Sequence, residues 1–296
     1  MRRLPAHQRA ALLAAIAEQI AARSEEAARL IALEAGKPIR TARAEVARTI
    51  QTYRFAAEEA KRIGGETLPL DAAPGGEGRV AYTVREPLGV VAAITPFNFP
   101  LNLVAHKVGP ALAAGNTVVL KPASQTPLSA FLLAEIAAQV GLPAGALNVV
   151  TGSGSVIGEV LVTDPRVKAI TFTGSPQVGI EIRHRAGLKR VTLELGSNSA
   201  VIIDRDVDLA EVVPRCVFGA FSYSGQVCIS VQRIYAVSEI YEPFVEAFLA
   251  ETGKLRGGDP LAEETDYAAM IHPQETERAL EWIREAEQRG ARVLCG

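Results

Sequence analysis

The sequence predicts an α/β fold, with a parallel sheet covered by helices and then a second, smaller α/β unit. Three observations carry this. Short runs rich in Val, Ile and Thr recur at 90–95, 117–121, 147–151, 169–173 and 191–195. Helical stretches separate them at 100–114, 127–140, 155–163 and 176–186. The runs are almost continuously apolar, as in strands buried on both faces of a parallel sheet.

The remaining elements follow from local signals. Residues 6–34 and 37–63 carry apolar side chains at helical spacing, with Gly36 as the break between two helices. The stretch GGETLPLDAAPGGEG (64–78) is a loop by its Gly and Pro content. RVAYTVRE (79–86) alternates as a strand standing apart from the main series, an arm suited to pairing with another subunit. Gly115-Asn116 and Gly141-Leu142-Pro143 mark turns within the sheet region. SAVIID (199–204) starts a second sheet, followed by a helix near 208–222 and a strand at 232–237. Helices near 241–254 and 274–289 and a last strand, ARVLC (291–295), complete the pattern.

Bulk properties narrow the function. The 296 residues are 48% hydrophobic and 22% charged, with a net charge of −2. No basic field points to nucleic acid, and no apolar run is long enough to span a bilayer. The N-terminal helix carries Glu18, Glu25 and Glu26, unlike an acid-poor transit peptide. Cys216, Cys228 and Cys295 form neither an even framework nor a CxxC pair, which suggests a reducing cytoplasm. No HExxH or similar spacing suggests a metal.

In an open parallel sheet, ligands bind at the carboxyl ends of strands. Two glycine clusters lie there. Gly152-Ser153-Gly154-Ser155-Val156-Ile157-Gly158 resembles a dinucleotide fingerprint with one residue too many, but no Asp or Glu follows at the distance that would hold a ribose, which favours a tight strand-to-helix turn. In Phe172-Thr173-Gly174-Ser175-Pro176, Ser175 and Pro176 suit the N-cap and first helical position. The N–H groups there either hold a pyrophosphate or merely start a capped helix. Lys121 ends a strand where a ribose or phosphate would lie, or is a surface lysine.

Three residues carry chemistry. Cys228 follows the polar loop Ser222-Tyr223-Ser224-Gly225-Gln226-Val227, which suits an approachable thiol better than a core plug. Glu194 is the penultimate residue of an apolar strand, between Leu193 and Leu195, as a solvent-facing residue or as a general base whose pKa apolar neighbours raise. Asn98, in Thr95-Pro96-Phe97-Asn98-Phe99-Pro100, is either a turn former or an amide donor aimed at an oxyanion.

Together these segments resemble the aldehyde dehydrogenase family, in the right order. The matching motifs are ITPFNFP (94–100), GNTVVLKPA (115–123), FTGS (172–175), LELG (193–196) and GQVCISVQR (225–233). The separation 228 − 194 = 34 also fits. The resemblance implies that Cys228 attacks the aldehyde, and that the Asn98 amide and the Cys228 N–H hold the oxyanion. It further implies that NAD or NADP accepts hydride and that Glu194 activates water to release a carboxylic acid. Thr95, Pro96, Phe97, Lys121, Ser124, Gly154, Gly158, Phe172, Gly174, Ser175, Leu195 and Gly196 would contact the cofactor, with Val178 near the adenine. Residues 1–195 would form a Rossmann-like dinucleotide-binding domain with an oligomerisation arm near 79–86, and 196–296 part of the catalytic, thiol-bearing domain. The complete enzyme would be a cytoplasmic homodimer or homotetramer acting on a small aldehyde.

The chain departs from the family pattern at Ser197, where a second glycine is usual, and at Ser124, where many NAD-specific members carry Glu. The family's later segments, including its EIFGP-type motif, are absent from this sequence, so the chain is expected not to turn over aldehyde by itself. Alternative readings are a non-catalytic dinucleotide-binding fragment and a CoA-acylating relative. Glu194 weighs against the second. GQVCISVQR resembles members acting on lactaldehyde or phosphonoacetaldehyde, whereas KPASQTP resembles succinate-semialdehyde enzymes.

Overall fold

The computed structural model describes the whole chain, Met1–Gly296. Three helices open it: α1 (Ala6–Ala22), α2 (Ser24–Ala35) and α3 (Ile39–Ala60). The single helix expected over 6–34 is split at Arg23, whose φ of −107° and ψ of 24° leave the helical region. The acidic pair Glu25 and Glu26 then occupies the first turn of α2, where the helix dipole favours negative charge. Gly36 ends α2 in the left-handed conformation (φ 64°), as its place in the sequence suggested.

The expected loop at 64–78 contains a short strand, β1 (Thr67–Leu68), paired antiparallel with β2 (Ala81–Tyr82). The strand expected over 79–86 therefore shrinks to two residues. Gly65 permits the close approach, since a Cβ there would lie 1.6 Å from the Thr83 carbonyl oxygen. Val80, Tyr82 and Val84 of this hairpin are exposed.

The main sheet is parallel, in the order β5-β4-β3-β6-β7. Its strands are β3 (Val90–Ile94), β4 (Thr117–Lys121), β5 (Leu147–Val149), β6 (Val167–Thr173) and β7 (Arg190–Glu194). Alternation along each strand sends Ala93, Val118 and Leu120 to one face, against α1–α3, α4 (Asn102–Ala113) and α5 (Leu128–Gln139). Ala92, Ile170 and Phe172 point to the other, under α6 (Glu159–Thr163) and α7 (Pro176–Arg185). The first face buries a cluster of 31 apolar residues and the second only 8. The thinly covered face is therefore the one with room for a ligand. The helix expected at 155–163 begins as a π-helical turn, Gly154–Gly158, before α6.

The second unit contains β8 (Ala200–Ile203), α8 (Leu209–Phe221), β9 (Arg233–Ala236), α9 (Ser238–Thr252) and α10 (Pro273–Gln288). β8 and β9 pair in parallel over a small core of Ile203, Val213, Cys216, Val217 and Phe244. The strand expected at 291–295 is not formed, and Cys295 is exposed. An apolar run becomes a strand only where a neighbour completes its backbone hydrogen bonds, and none lies beside it. The second unit reaches back to α3: the Ile39 N–H donates to the Pro260 carbonyl (2.7 Å), and Arg40 pairs with Asp266. No helix is long and apolar enough to cross a membrane.

Candidate active site

The carboxyl ends of β3, β6 and β7 converge with the loop after α8. At the end of β3 the Thr95 N–H donates to the Lys121 carbonyl (3.1 Å). Pro96 and Pro100 then keep the chain out of helix until α4 starts. The start of α4 is held from α3: one oxygen of buried Glu45 accepts the N–H groups of Leu101 and Asn102, each at 3.0 Å. Its other oxygen accepts from buried Lys37 at 2.5 Å, and the Lys37 ammonium sits 3.7 Å from the Phe99 ring centroid. Asn98 is thus fixed between two anchored residues. Its Nδ2 donates to the Gln226 carbonyl (2.9 Å), which leaves the second amide N–H for a ligand.

The thiol loop is held under strain. Tyr223 and Ser224 are consecutive left-handed residues (φ 51° and 54°), a conformation that costs about 1–2 kcal/mol each for non-glycine residues. Two long-range hydrogen bonds stabilise it. The Tyr223 hydroxyl donates to the Ala35 carbonyl (2.5 Å), and the Ser224 hydroxyl to the Ala268 carbonyl (2.6 Å). Gln226 adds a third brace by accepting the Ile271 N–H (3.0 Å). Cys228 emerges exposed from this loop, whereas Cys216 is buried in the small core.

Glu194 ends β7, an edge strand. The apolar walls expected around it are missing, because an edge strand has a neighbour on one side only, and the side chain is exposed. Its backbone carbonyl accepts the Gly174 N–H (3.1 Å), which ties the two motifs together. Behind it lies Lys107 of α4, overlooked in the sequence and buried. Its ammonium donates to the hydroxyls of Thr173 (2.7 Å) and Thr171 (3.3 Å). Burial pushes the Lys107 pKa down to about 8, while the Glu194 charge opposes that shift. The signal for Lys107 was its place at a buried helical phase, between Ala105 and Val108.

A cavity of about 470 Å³ brings together Cys228, Asn98, Pro96, Phe97, Gly174, Ser175, Leu195 and Gly196. Gln232, Glu275, Arg278 and Trp282 also line it and had no signal in the sequence. A second cavity, about 540 Å³, lies along α6 and α7 and collects Lys121, Gly154, Gly158, Phe172 and Val178. Thr95, Ser124 and Glu194 line neither. Thr95 is buried with its hydroxyl unpartnered, and the Ser124 hydroxyl donates to the Gly152 carbonyl at 3.4 Å.

The two cavities flank the start of α7 and suit an elongated anionic ligand. Ser175 caps α7 by accepting the Val178 N–H (3.4 Å), with Pro176 at the first helical position. A Cβ on Gly174 would stand 2.4 Å from the Phe172 ring, so only glycine fits beside it. Around Gly154 and Gly158, by contrast, a Cβ would meet nothing within 4 Å. Packing does not require those glycines; their bare backbone faces the second cavity. Lys121 is buried, not a surface lysine, with one long hydrogen bond to the Pro122 carbonyl (3.3 Å). Burial lowers its pKa, so an oxygen-rich ligand that hydrogen-bonds the ammonium would be favoured.

The aldehyde dehydrogenase family description matches residues 1–296. The chain belongs to the aldehyde dehydrogenase family. It is 51% identical over 290 residues to the 3-sulfolactaldehyde dehydrogenase of Priestia aryabhattai, covering 98% of this chain and 61% of that one. Among solved structures it resembles the glyceraldehyde-3-phosphate dehydrogenase GapN of Methanocaldococcus jannaschii complexed with NADP. There the TM-score is 0.95 and the identity 41%, over 100% of this chain and 64% of that chain. It also resembles aldehyde dehydrogenase 21 of Physcomitrella patens in complex with the reaction product succinate. That match has a TM-score of 0.97 and 41% identity, over 100% of this chain and 62% of that one. This aldehyde dehydrogenase chain spans about 60% of the length of the relatives it matches. Solved neighbours carry NAD or NADP, in keeping with the cofactors expected from the motifs.

Proposed function

We propose that the protein oxidises a small aldehyde to its carboxylic acid, with Cys228 as the nucleophile and NAD or NADP as the hydride acceptor. One observation carries this reading: a single cavity holds an exposed thiol, a fixed amide donor and the glycine-lined start of α7. On this reading residues 1–195 form the dinucleotide-binding part and 196–296 belong to the thiol-bearing part.

The Cys228 thiolate adds to the aldehyde carbon, forming a C–S bond and placing charge on the oxygen. The free Asn98 N–H and the Cys228 backbone N–H, which has no acceptor within the chain, stabilise that oxyanion. When bound, the dinucleotide would supply a two-electron acceptor in its nicotinamide, and Gly174, Ser175, Lys121, Gly154 and Gly158 would hold it. The acyl group then rests on Cys228 as a thioester. Glu194 takes a proton from water, the water oxygen bonds to the acyl carbon, and the C–S bond breaks to release the acid. Lys107 beneath it keeps its charge against burial partly through the Glu194 charge. The relatives named for 3-sulfolactaldehyde and lactaldehyde support a short, polar aldehyde.

The test is a pair of variants in single-turnover kinetics. Cys228→Ala is expected to abolish NAD(P)H formation, and iodoacetamide labelling of Cys228 to track activity loss. Glu194→Gln is expected to keep a burst of NAD(P)H but slow steady turnover. Activity loss that tracks Cys216 instead would refute the assignment.

A further inference from the structure

Lys37 is 1% exposed, so it meets neither substrate nor solvent. Its ammonium donates to Glu45 at 2.5 Å, and the Glu45 charge opposes the pull of burial on its proton. Stability alone does not call for such a pair, because well-packed apolar side chains in place of a buried ion pair are often neutral or stabilising. What distinguishes this pair is what the ammonium touches. It sits over the Phe99 ring, 3.7 Å from the centroid, and over the Tyr223 ring, 4.9 Å from the centroid. Phe99 directly follows Asn98, and Tyr223 belongs to the strained loop that leads to Cys228.

The residues before Lys37 reach the same loop. The Ala35 carbonyl accepts the Tyr223 hydroxyl at 2.5 Å. Gly36, left-handed, lies so close to the next segment that a Cβ would stand 3.2 Å from the Ala269 carbonyl oxygen. The neighbours of Ala269 in turn hold the thiol loop: the Ala268 carbonyl accepts the Ser224 hydroxyl, and the Ile271 N–H donates to Gln226. The thiol loop is therefore seated on the turn between α2 and α3. The Asn98 loop is seated on the same turn and on α3, through Lys37 and Glu45. Directly between the two loops runs one hydrogen bond, from Asn98 to Gln226. A cation shared by two ring faces in a water-free site draws both toward it.

We propose that Lys37 is a positioning residue for aldehyde oxidation: from beneath the site, its ammonium holds the Asn98 loop and the Cys228 loop in one register through the Phe99 and Tyr223 rings. This rests on the roles given above to Asn98 and Cys228. The register matters because the amide must meet the oxygen of the same carbonyl whose carbon the thiolate attacks, and a misplacement of about 1 Å can cost on the order of 10² in rate.

The deciding variant is Lys37→Met/Glu45→Gln, which removes both charges together while the glutamine oxygen can keep the cap on Leu101 and Asn102. Hydrogen exchange read by mass spectrometry needs no turnover. Amides of 97–103 and 222–228 are expected to exchange roughly tenfold faster in the variant, with β4 and β9 unchanged. Faster exchange in only one loop, or in neither, would overturn the proposal. In kinetics the variant should lose about 10- to 100-fold in kcat with KM within about threefold, while iodoacetamide still alkylates Cys228 at the wild-type rate. In an Asn98→Ala background the same pair of substitutions should cost less than about twofold more, because Lys37 acts through that amide. Losses that multiply, or a kcat equal to wild type, would also overturn it. An Asn98→Ala enzyme with undiminished kcat would instead sink the oxyanion role proposed above; in that case, or if wild type oxidises no aldehyde, hydrogen exchange alone decides whether Lys37 holds the two loops.

Discussion

Glu45→Gln tests the link between the buried core and the loop that carries Asn98. The Glu45 and Lys37 side chains are 0% and 1% exposed. Glu45 Oε1 accepts both the Leu101 and Asn102 N–H groups, and a glutamine oxygen could keep that cap. The glutamine NH2 would then face the Lys37 ammonium, two donors 2.5 Å apart in the present geometry. Breaking a buried ion pair by removing one charge costs about 3–5 kcal/mol. Lys37 limits that cost by shedding its proton, since burial already lowers its pKa and Glu45 is the group that opposes the shift. The sign follows: the variant's folded state holds Lys37 neutral while the unfolded chain keeps it protonated to about pH 10.5. The stability deficit is therefore larger at pH 7 than at pH 9, shrinking as pH rises by at most ~1.4 kcal/mol per unit. Urea unfolding of wild type and variant at pH 7 and pH 9 measures it. Loss of the cation over Phe99 should also lower kcat, because Asn98 is its neighbour, and Lys37→Met combined with Glu45→Gln should recover much of the stability. A deficit below about 1 kcal/mol at pH 7, or one equal at both pH values, would refute the argument.

Three further outcomes are expected. Asn98→Ala should cost on the order of 10²–10³ in kcat, as for one lost oxyanion donor, with the rate of Cys228 alkylation unchanged; an unchanged kcat would return Asn98 to a turn-forming role. Lys107 releases its proton at about 8 in the folded chain and about 10.5 unfolded, so between those values the unfolded chain binds more protons and stability rises with pH. Lys107→Met should remove that rise, at most ~3 kcal/mol, and unfolding curves that stay parallel to wild type from pH 8 to 10 would contradict it. NADP should be accepted at least as well as NAD, and Ser124→Glu should shift the preference toward NAD about tenfold or more by setting a carboxylate against a 2′-phosphate. Cofactor kinetics identical in the two proteins would show that Ser124 does not carry the choice.

The sheet was legible because burial on both faces stamps every strand with an apolar run. The run at 117–121 became β4 residue for residue, and each of the other four was displaced by no more than two residues at either end. What escaped depended on partners far away in sequence. β1 and β2 are two residues each and leave no periodic trace. ARVLC has the composition of a strand, yet composition says nothing of whether an edge waits beside it. The break at Arg23 interrupts no apolar spacing; it shows only in the acids that follow, and its guanidinium bonds to both Glu26 and Glu135.

The candidate site divides along the same line. Cys228, Asn98 and the FTGS glycine announced themselves because each sits just after a regular element and carries its chemistry alone. The supports did not, because each is half of a pair: Asn98 meets Gln226 across 128 positions, and Tyr223 meets Ala35 across 188. Charged residues at a buried helical phase are the exception. Lys107 and Glu45 each occupy positions where the helical pattern calls for an apolar side chain, and a buried charge persists only when something compensates it. The sequence therefore signals that a partner exists for each. It cannot name Thr173 or Lys37, because those assignments follow from how the elements pack and not from the pattern within either helix.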